Sequence, residues 1–200
     1  MSFAHVPQAH VGAFKHWMLQ YCCIIRMANT ANWKLLPTIS NVRGHKSAQL
    51  VCEKKGTCAP QIVKMHMDPT RAPFGAGNFN KEDTIRVNLD LECTHTYMEV
   101  LGRVDAWVID TLAANPDLYF KKHLTRDEVI KAYKPSCTPH EKNGVDYAPS
   151  MRCKTNLEGP SKVRCWTPDR IQRAVPEDWR RCTITPLVTF KSIWFMNGLC

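Results

Sequence analysis

Three groups of side chains have types and spacings that could do chemistry, and the first is cationic and aromatic. Between Met151 and Trp166 two alternating runs, SMRCKTN and KVRCWT, flank LEGPS, whose Gly159-Pro160 is a turn signal. The runs read as a β-hairpin. Successive strand residues point to opposite faces, so Met151, Cys153, Thr155, Val163 and Cys165 share one parity while Arg152, Lys154, Lys162, Arg164 and Trp166 share the other. Such a face can track a phosphate backbone with its cations while its indole stacks on a base, a contact that contributes about 1 to 3 kcal/mol. The plainer alternative is a solvated strand face, because Lys and Arg populate exposed faces routinely.

The second group is Asp90, Glu92 and His95. Asp90 and Glu92 share a strand face, where two carboxylates could hold a divalent cation for phosphodiester cleavage. The pattern is weak as a nuclease signal, because the wet face of a strand carries such pairs by default and no H-E-x-x-H or G-x-S-x-G accompanies it. The third group is sulfur-rich. Cys137 and His140 form a C-x-x-H pair that Cys153 and Cys165 could complete as a tetrahedral zinc set, yet the chain has no C-x-x-C knuckle. Its ten cysteines would suit a disulfide framework only in a small exported domain. The expectation is reduced thiols, with Cys153, Cys165 and Cys182 as small buried hydrophobes, and neither zinc nor an obligatory disulfide.

A fourth stretch, HMDPTRAPFGAGNFN from His66 to Asn80, holds two prolines, two glycines and two phenylalanines between strand-like segments. Gly75-Ala76-Gly77 is not a phosphate loop. No third glycine follows three residues on, no Lys-Ser or Lys-Thr pair follows, and a strand pattern rather than a helix comes next. Two readings remain: a turn in which glycine takes positive φ while Phe74 anchors the loop, or a rim where Arg71, Phe79 and Lys81 meet a polyanion.

The elements that must position these groups are mostly short strands. AQLVCEK and IVKMHMD are candidates, and TIRVNLDLE is the clearest, with Ile85, Val87, Leu89 and Leu91 on one face and Arg86, Asn88, Asp90 and Glu92 on the other. A helix then interrupts. Thr96 with Glu99 makes a capping box, and Tyr97, Leu101, Val104, Val108 and Leu112 repeat at helical spacing until Asn115-Pro116; Trp107 reads as core. Thr125 with Glu128 opens a second helix that Lys134-Pro135 closes, and residues 135–149 read as a polar loop. The closing run CTITPLVTFKSIWFM alternates, with a bend, bulge or edge at Pro186. Six or seven strands with one helical insertion, at about residues 96–134, predict a mainly β, antiparallel fold. An OB-fold-like barrel is the economical choice.

Composition places this domain at 46–200 behind a basic N-terminal segment, residues 1–45. The first acidic residue is Glu53, and before it stand Lys15, Arg26, Lys34, Arg43 and Lys46. Such a start reads as an organelle-targeting segment, a helix lying on the domain, or an unordered terminus. WMLQYCCIIRM from Trp17 lacks an export cleavage signature, and no run of eighteen apolar residues predicts a membrane span. The expected location is intracellular, in the nucleus or an organelle. A formal net charge of +9, dispersed along the chain, calls for a polyanionic partner that meets a face assembled by the fold.

MDPTRAPFGAGNFN, IRVNLDL, DAWVID, YKP at Tyr133 to Pro135, PEDWR at Pro176 to Arg180 and SIWFMNG together resemble phage-type OB-fold single-stranded DNA-binding proteins. Such proteins recur in large DNA viruses of algae and protists and in some protist genomes. The resemblance covers about Ile62 to Gly198. It implies a protein without catalysis, cofactor or metal that coats single strands during replication, recombination or repair. Family members commonly continue into a last strand and an acidic tail that recruits replication partners, whereas this sequence stops at Leu199-Cys200. The expected partners are single-stranded DNA, with RNA as a variant, and a second copy of the chain. Two other classes stay open: a basic assembly protein that meets RNA or a protein partner, and a metal-dependent nuclease.

Overall fold

The structure is a computed structural model, and residues 30–42, 44–53, 59–78 and 85–196 are described. Strands dominate among them, and every pairing is antiparallel. The larger sheet is organised on β3 (Lys46–Cys52). One half of β3 pairs with β1 (Trp33–Leu35) and β4 (Gln61–His66), and its other half pairs with β2 (Ile39–Ser40) and β14 (Ser192–Phe195). Beyond β4 lies β13 (Leu187–Phe190). A two-stranded ladder, β5 (Thr70–Arg71) with β12 (Thr183–Ile184), continues in line with the β4–β13 pair, because Met67 N donates to Pro186 O at 2.8 Å. The second sheet runs β6 (Ala76–Asn78), β7 (Arg86–Glu92), β9 (Val145–Asn156), β8 (Thr138–Lys142).

Between β7 and β8 come three helices, α1 (His95–Ala114), α2 (Pro116–Phe120) and α3 (Arg126–Ala132), where the sequence places its helical insertion. The cap of α1 is Thr94, whose hydroxyl accepts from Tyr97 N at 3.2 Å, so the helix starts ahead of the Thr96–Glu99 box expected to open it. It stops at Asn115-Pro116, as the proline requires. The Thr125–Glu128 capping box of α3 forms as expected, with Thr125 N donating to Glu128 Oε2 at 2.8 Å and Glu128 N to Thr125 Oγ1 at 3.3 Å.

Apolar residues of α1 serve two cores. Val100, Val104, Val108 and Leu112 pack with Leu35, Ala48, Leu50, Val63 and Met65 of the larger sheet, whereas Tyr97 and Leu101 pack with Leu89, Leu91, Met151 and Trp179 beside the second. On β7 the alternation holds: Val87, Leu89 and Leu91 are buried, and Asn88, Asp90 and Glu92 are partly exposed.

Four expectations are corrected. The sheets do not close into a barrel. The β4–β13 and β5–β12 pairs are separate ladders flanking Asp68-Pro69 and Thr185-Pro186, where proline has no N–H to donate, and the β10–β11 hairpin pairs with neither of the larger sheets. The domain begins before residue 46, since Leu35 is only 8 % exposed and Tyr119 Oη donates to its carbonyl at 2.9 Å. The expected polar loop 135–149 is, from Thr138 on, part of the β8–β9 hairpin. Its turn is Asn143-Gly144, both left-handed at φ 55° and 72°, as an Asn-Gly hairpin turn demands.

Finally, residues 151–166 do not pair with each other as a hairpin. The first run is the second half of β9, held by β7, and the second run touches it through one bond, Val163 N to Asn156 O at 2.8 Å. The second run folds forward instead, as β10 (Cys165–Trp166) on β11 (Gln172–Arg173). Thr167-Pro168-Asp169-Arg170 explains this, because proline at the second position presets a tight turn that closes a much shorter loop.

Candidate nucleic-acid interface

The β10–β11 hairpin is small and well pinned. Arg170 N donates to Thr167 O and Thr167 N to Ile171 O, both at 2.9 Å, while Arg170 takes a left-handed φ of 63° to complete the turn. Val163 and Cys165 pack against the second core, so the opposite parity faces water, as the alternation predicts. Lys162 and Arg164 are exposed, and the Trp166 indole is 56 % exposed. Arg170 and Arg173, on the same hairpin, were not singled out from the sequence; the Pro168-Asp169 turn is the signal that would have placed them.

Arg152 and Lys154 lie one strand away, on the exposed face of β9. Arg152 stands opposite Asp90 and donates to it twice, Nε to Oδ1 at 2.7 Å and Nη2 to Oδ2 at 2.9 Å. The Arg152 hydrogen bonds hold the Asp90 carboxyl below the ordinary carboxylate range, against the opposing effect of burial. Arg152 is therefore already paired with a carboxylate. Lys154 stands opposite Asn88, and Arg86 opposite Asn156.

The nuclease reading loses its geometry at the same place. Asp90 and Glu92 share a face as expected, but each faces a guanidinium, Arg152 at 2.7 Å and Arg71 Nε at 3.5 Å. His95 turns to Glu99, 3.3 Å away in the next turn of α1. The zinc set fails on topology. His140 Nε2 lies 2.6 Å from Ser150 Oγ on the outer face of the second sheet, whereas Cys153 packs on the inner face among the second core. Ligands on opposite faces of one sheet cannot converge on an ion. Among the described residues no group of three or more His, Cys, Asp or Glu is placed to hold a metal. Burial pushes the Cys93 and Cys153 thiols up to about 12, which keeps both neutral.

The loop from His66 divides. Phe79 and Lys81 lie outside the described residues. Arg71 is exposed and paired with Glu92. Phe74 does not anchor the loop in the core but is 50 % exposed. Ala72-Pro73-Phe74-Gly75 is a tight turn closed by Gly75 N to Ala72 O at 2.9 Å, with proline second and glycine left-handed at φ 70°. A Cβ on Gly75 would stand 3.1 Å from Arg180 Cγ, so the side chain at 74 is the one that projects. Phe74 meets the rings of Tyr147 and His140 edge to face, at centroid distances of 5.9 and 6.3 Å.

Compared with protein-family models, with curated proteins and with solved structures, the chain gives no significant match in any of the three. Among the described residues no helix is long and apolar enough to cross a membrane.

Proposed function

We propose that this is a non-enzymatic protein that binds single-stranded DNA with little sequence preference, in replication, recombination or repair. The observation that carries the reading is the Trp166 indole, exposed on a pinned hairpin segment at the same parity as the exposed Lys162 and Arg164. A large apolar ring held in water by a pinned backbone offers a stacking surface to any base, and the cations beside it supply sequence-independent attraction to phosphates. The net charge of +9 agrees in sign. The sequence resemblance to phage-type binders belongs to the same proposal, with the scaffold taken as an opened variant of the OB plan.

A second reading has its own observation. Ile39 and Trp194 both pair with Ser47 across β2, β3 and β14, so two exposed apolar side chains sit in one row. Such a row favours a protein-binding assembly factor.

Fluorescence anisotropy with single-stranded, duplex and RNA oligonucleotides at several salt concentrations, with magnesium present, separates the readings. Single strands are expected to bind best and uncut. With Lys154, Lys162 and Arg164 on phosphates, the log-log salt slope should be about −2, from roughly −0.7 per contact. Lys162→Ala or Arg164→Ala should flatten that slope, whereas Trp166→Ala should cost about 1 to 3 kcal/mol and leave it unchanged. Equal affinity for duplex and single strand refutes the reading. Cleavage products would reinstate the nuclease.

A further inference from the structure

The proposed function uses the β10–β11 hairpin, while the Tyr147 end of β9 carries aromatic groups that it does not use. Along β9 the even residues Ser150, Arg152 and Lys154 share the outer face, with Ser150 buried there against His140, and strict alternation would turn Tyr147 inward. It does not turn inward. The register slips between Thr138 opposite Ser150 and His140 opposite Tyr147, which inserts one extra residue on the β9 side around Ala148-Pro149. That bulge re-aims Tyr147 onto the outer face beside His140, where it is 40 % exposed. Phe74, thrust out by the Pro73–Gly75 turn, completes the group from a different element. Two backbone irregularities, the bulge and the left-handed glycine, thus gather exposed rings at one spot.

We propose that a single nucleic-acid strand runs along the outer face of β9, over its cations, to a second base-stacking station formed by Phe74 and Tyr147. The inference rests on the single-strand reading and extends it to a path. From Tyr147 to Asn156 the strand spans about 30 Å at roughly 3.3 Å per residue, longer than one stacked base can bridge. Its far end is tied to the hairpin segment by Val163 N on Asn156 O at 2.8 Å. Along that face stand the exposed cations Arg86 and Lys154, and Arg152 neutralises Asp90. Exposed rings at one end of a cationic strip suit a polyanion that carries a base at every repeat. An apolar peptide would leave that strip unmatched.

The test is the length dependence of binding, with oligothymidylates from about 4 to 16 nucleotides, the range that single units of this kind cover. Phe74→Ala with Tyr147→Ala should weaken the longest oligonucleotide roughly 5- to 150-fold, equivalent to about 1 to 3 kcal/mol, and leave the shortest unchanged. Trp166→Ala should weaken all lengths. Both rings are substantially exposed, so the double variant should fold, and an unchanged melting temperature checks this. Tyr147→Phe should bind like the parent. A long strand with one 5-iododeoxyuridine at a terminal position should photocrosslink to the peptide containing Phe74 or to that containing Tyr147. If the double variant bound every length as the parent does while Trp166→Ala did not, the path would be wrong and the hairpin reading would stand. If the parent bound no single strand, both would fall.

Discussion

Arg152 shows how a partner decides what a charged residue can do. Sequence parity puts it with the other cations, and it does face outward, but the residue opposite it in the ladder is Asp90. A bidentate guanidinium–carboxylate pair is strong and directional, so neither charge is available for another task without a loss. Asp90 is depressed in the folded state, so the pair contributes stability above the carboxylate's ordinary range and loses it as pH falls through the lowered value. Arg152→Met should therefore lower stability by about 1 kcal/mol near neutral pH, discounted for the exposure of the arginine. The gap from the parent should close as pH falls through the lowered Asp90 value, below which the carboxyl is protonated in both. Thermal melts from about pH 2 to 7 measure this. A gap that stayed constant across that range would show that Arg152 acts through packing alone.

At the scale of elements, the turns carry the site. Gly75 holds a φ that costs other L-residues about 1 to 2 kcal/mol, and Arg180 Cγ already lies 3.1 Å from where a Cβ would go. Gly75→Ala should thus destabilise the fold by about that amount and shift Phe74, whereas Gly102→Ala, on an open helix surface, should stabilise by up to about 1 kcal/mol. Urea titrations of the two variants should move in opposite directions, and a neutral Gly75→Ala would remove the geometric argument for a projecting Phe74.

Elements with a strong period were legible before the structure. The alternation of β7, the repeat of α1 and the Thr125–Glu128 box all appear where the sequence puts them. What escaped were connections settled by short turn signals in polar surroundings: Asn143-Gly144, which makes residues 138–156 a hairpin, and Pro168-Asp169, which pulls Trp166 away from Arg152 and Lys154. The aromatic cluster was harder to foresee, because it needs a bulge. One extra residue at Ala148-Pro149 reverses the parity of Tyr147, and no periodic reading of that strand contains such a reversal.

At the scale of the whole molecule, the question is what holds the two larger sheets together when they do not close into a barrel. The helix answers it. Tyr97 and Leu101, in the first turns of α1, are buried beside the second sheet, and Val104, Val108 and Leu112 farther along it are buried beside the larger one. Phe190 touches both cores as well, at the end of β13 before the chain turns into β14. Neither sheet can shed its cover without uncovering the other, so cooperativity arises from a shared helix rather than from barrel closure. Leu101→Ala and Leu112→Ala, both fully buried, should each cost about 2 to 5 kcal/mol and lower one common unfolding transition. Native-state hydrogen exchange is the sharper probe, because the amides of β3 and β9 should open with the same free energy and fall together in either variant. If Leu101→Ala loosened β9 while β3 kept its protection, the second sheet would be an independent unit, and the face that carries the proposed path would be held by its own turns alone.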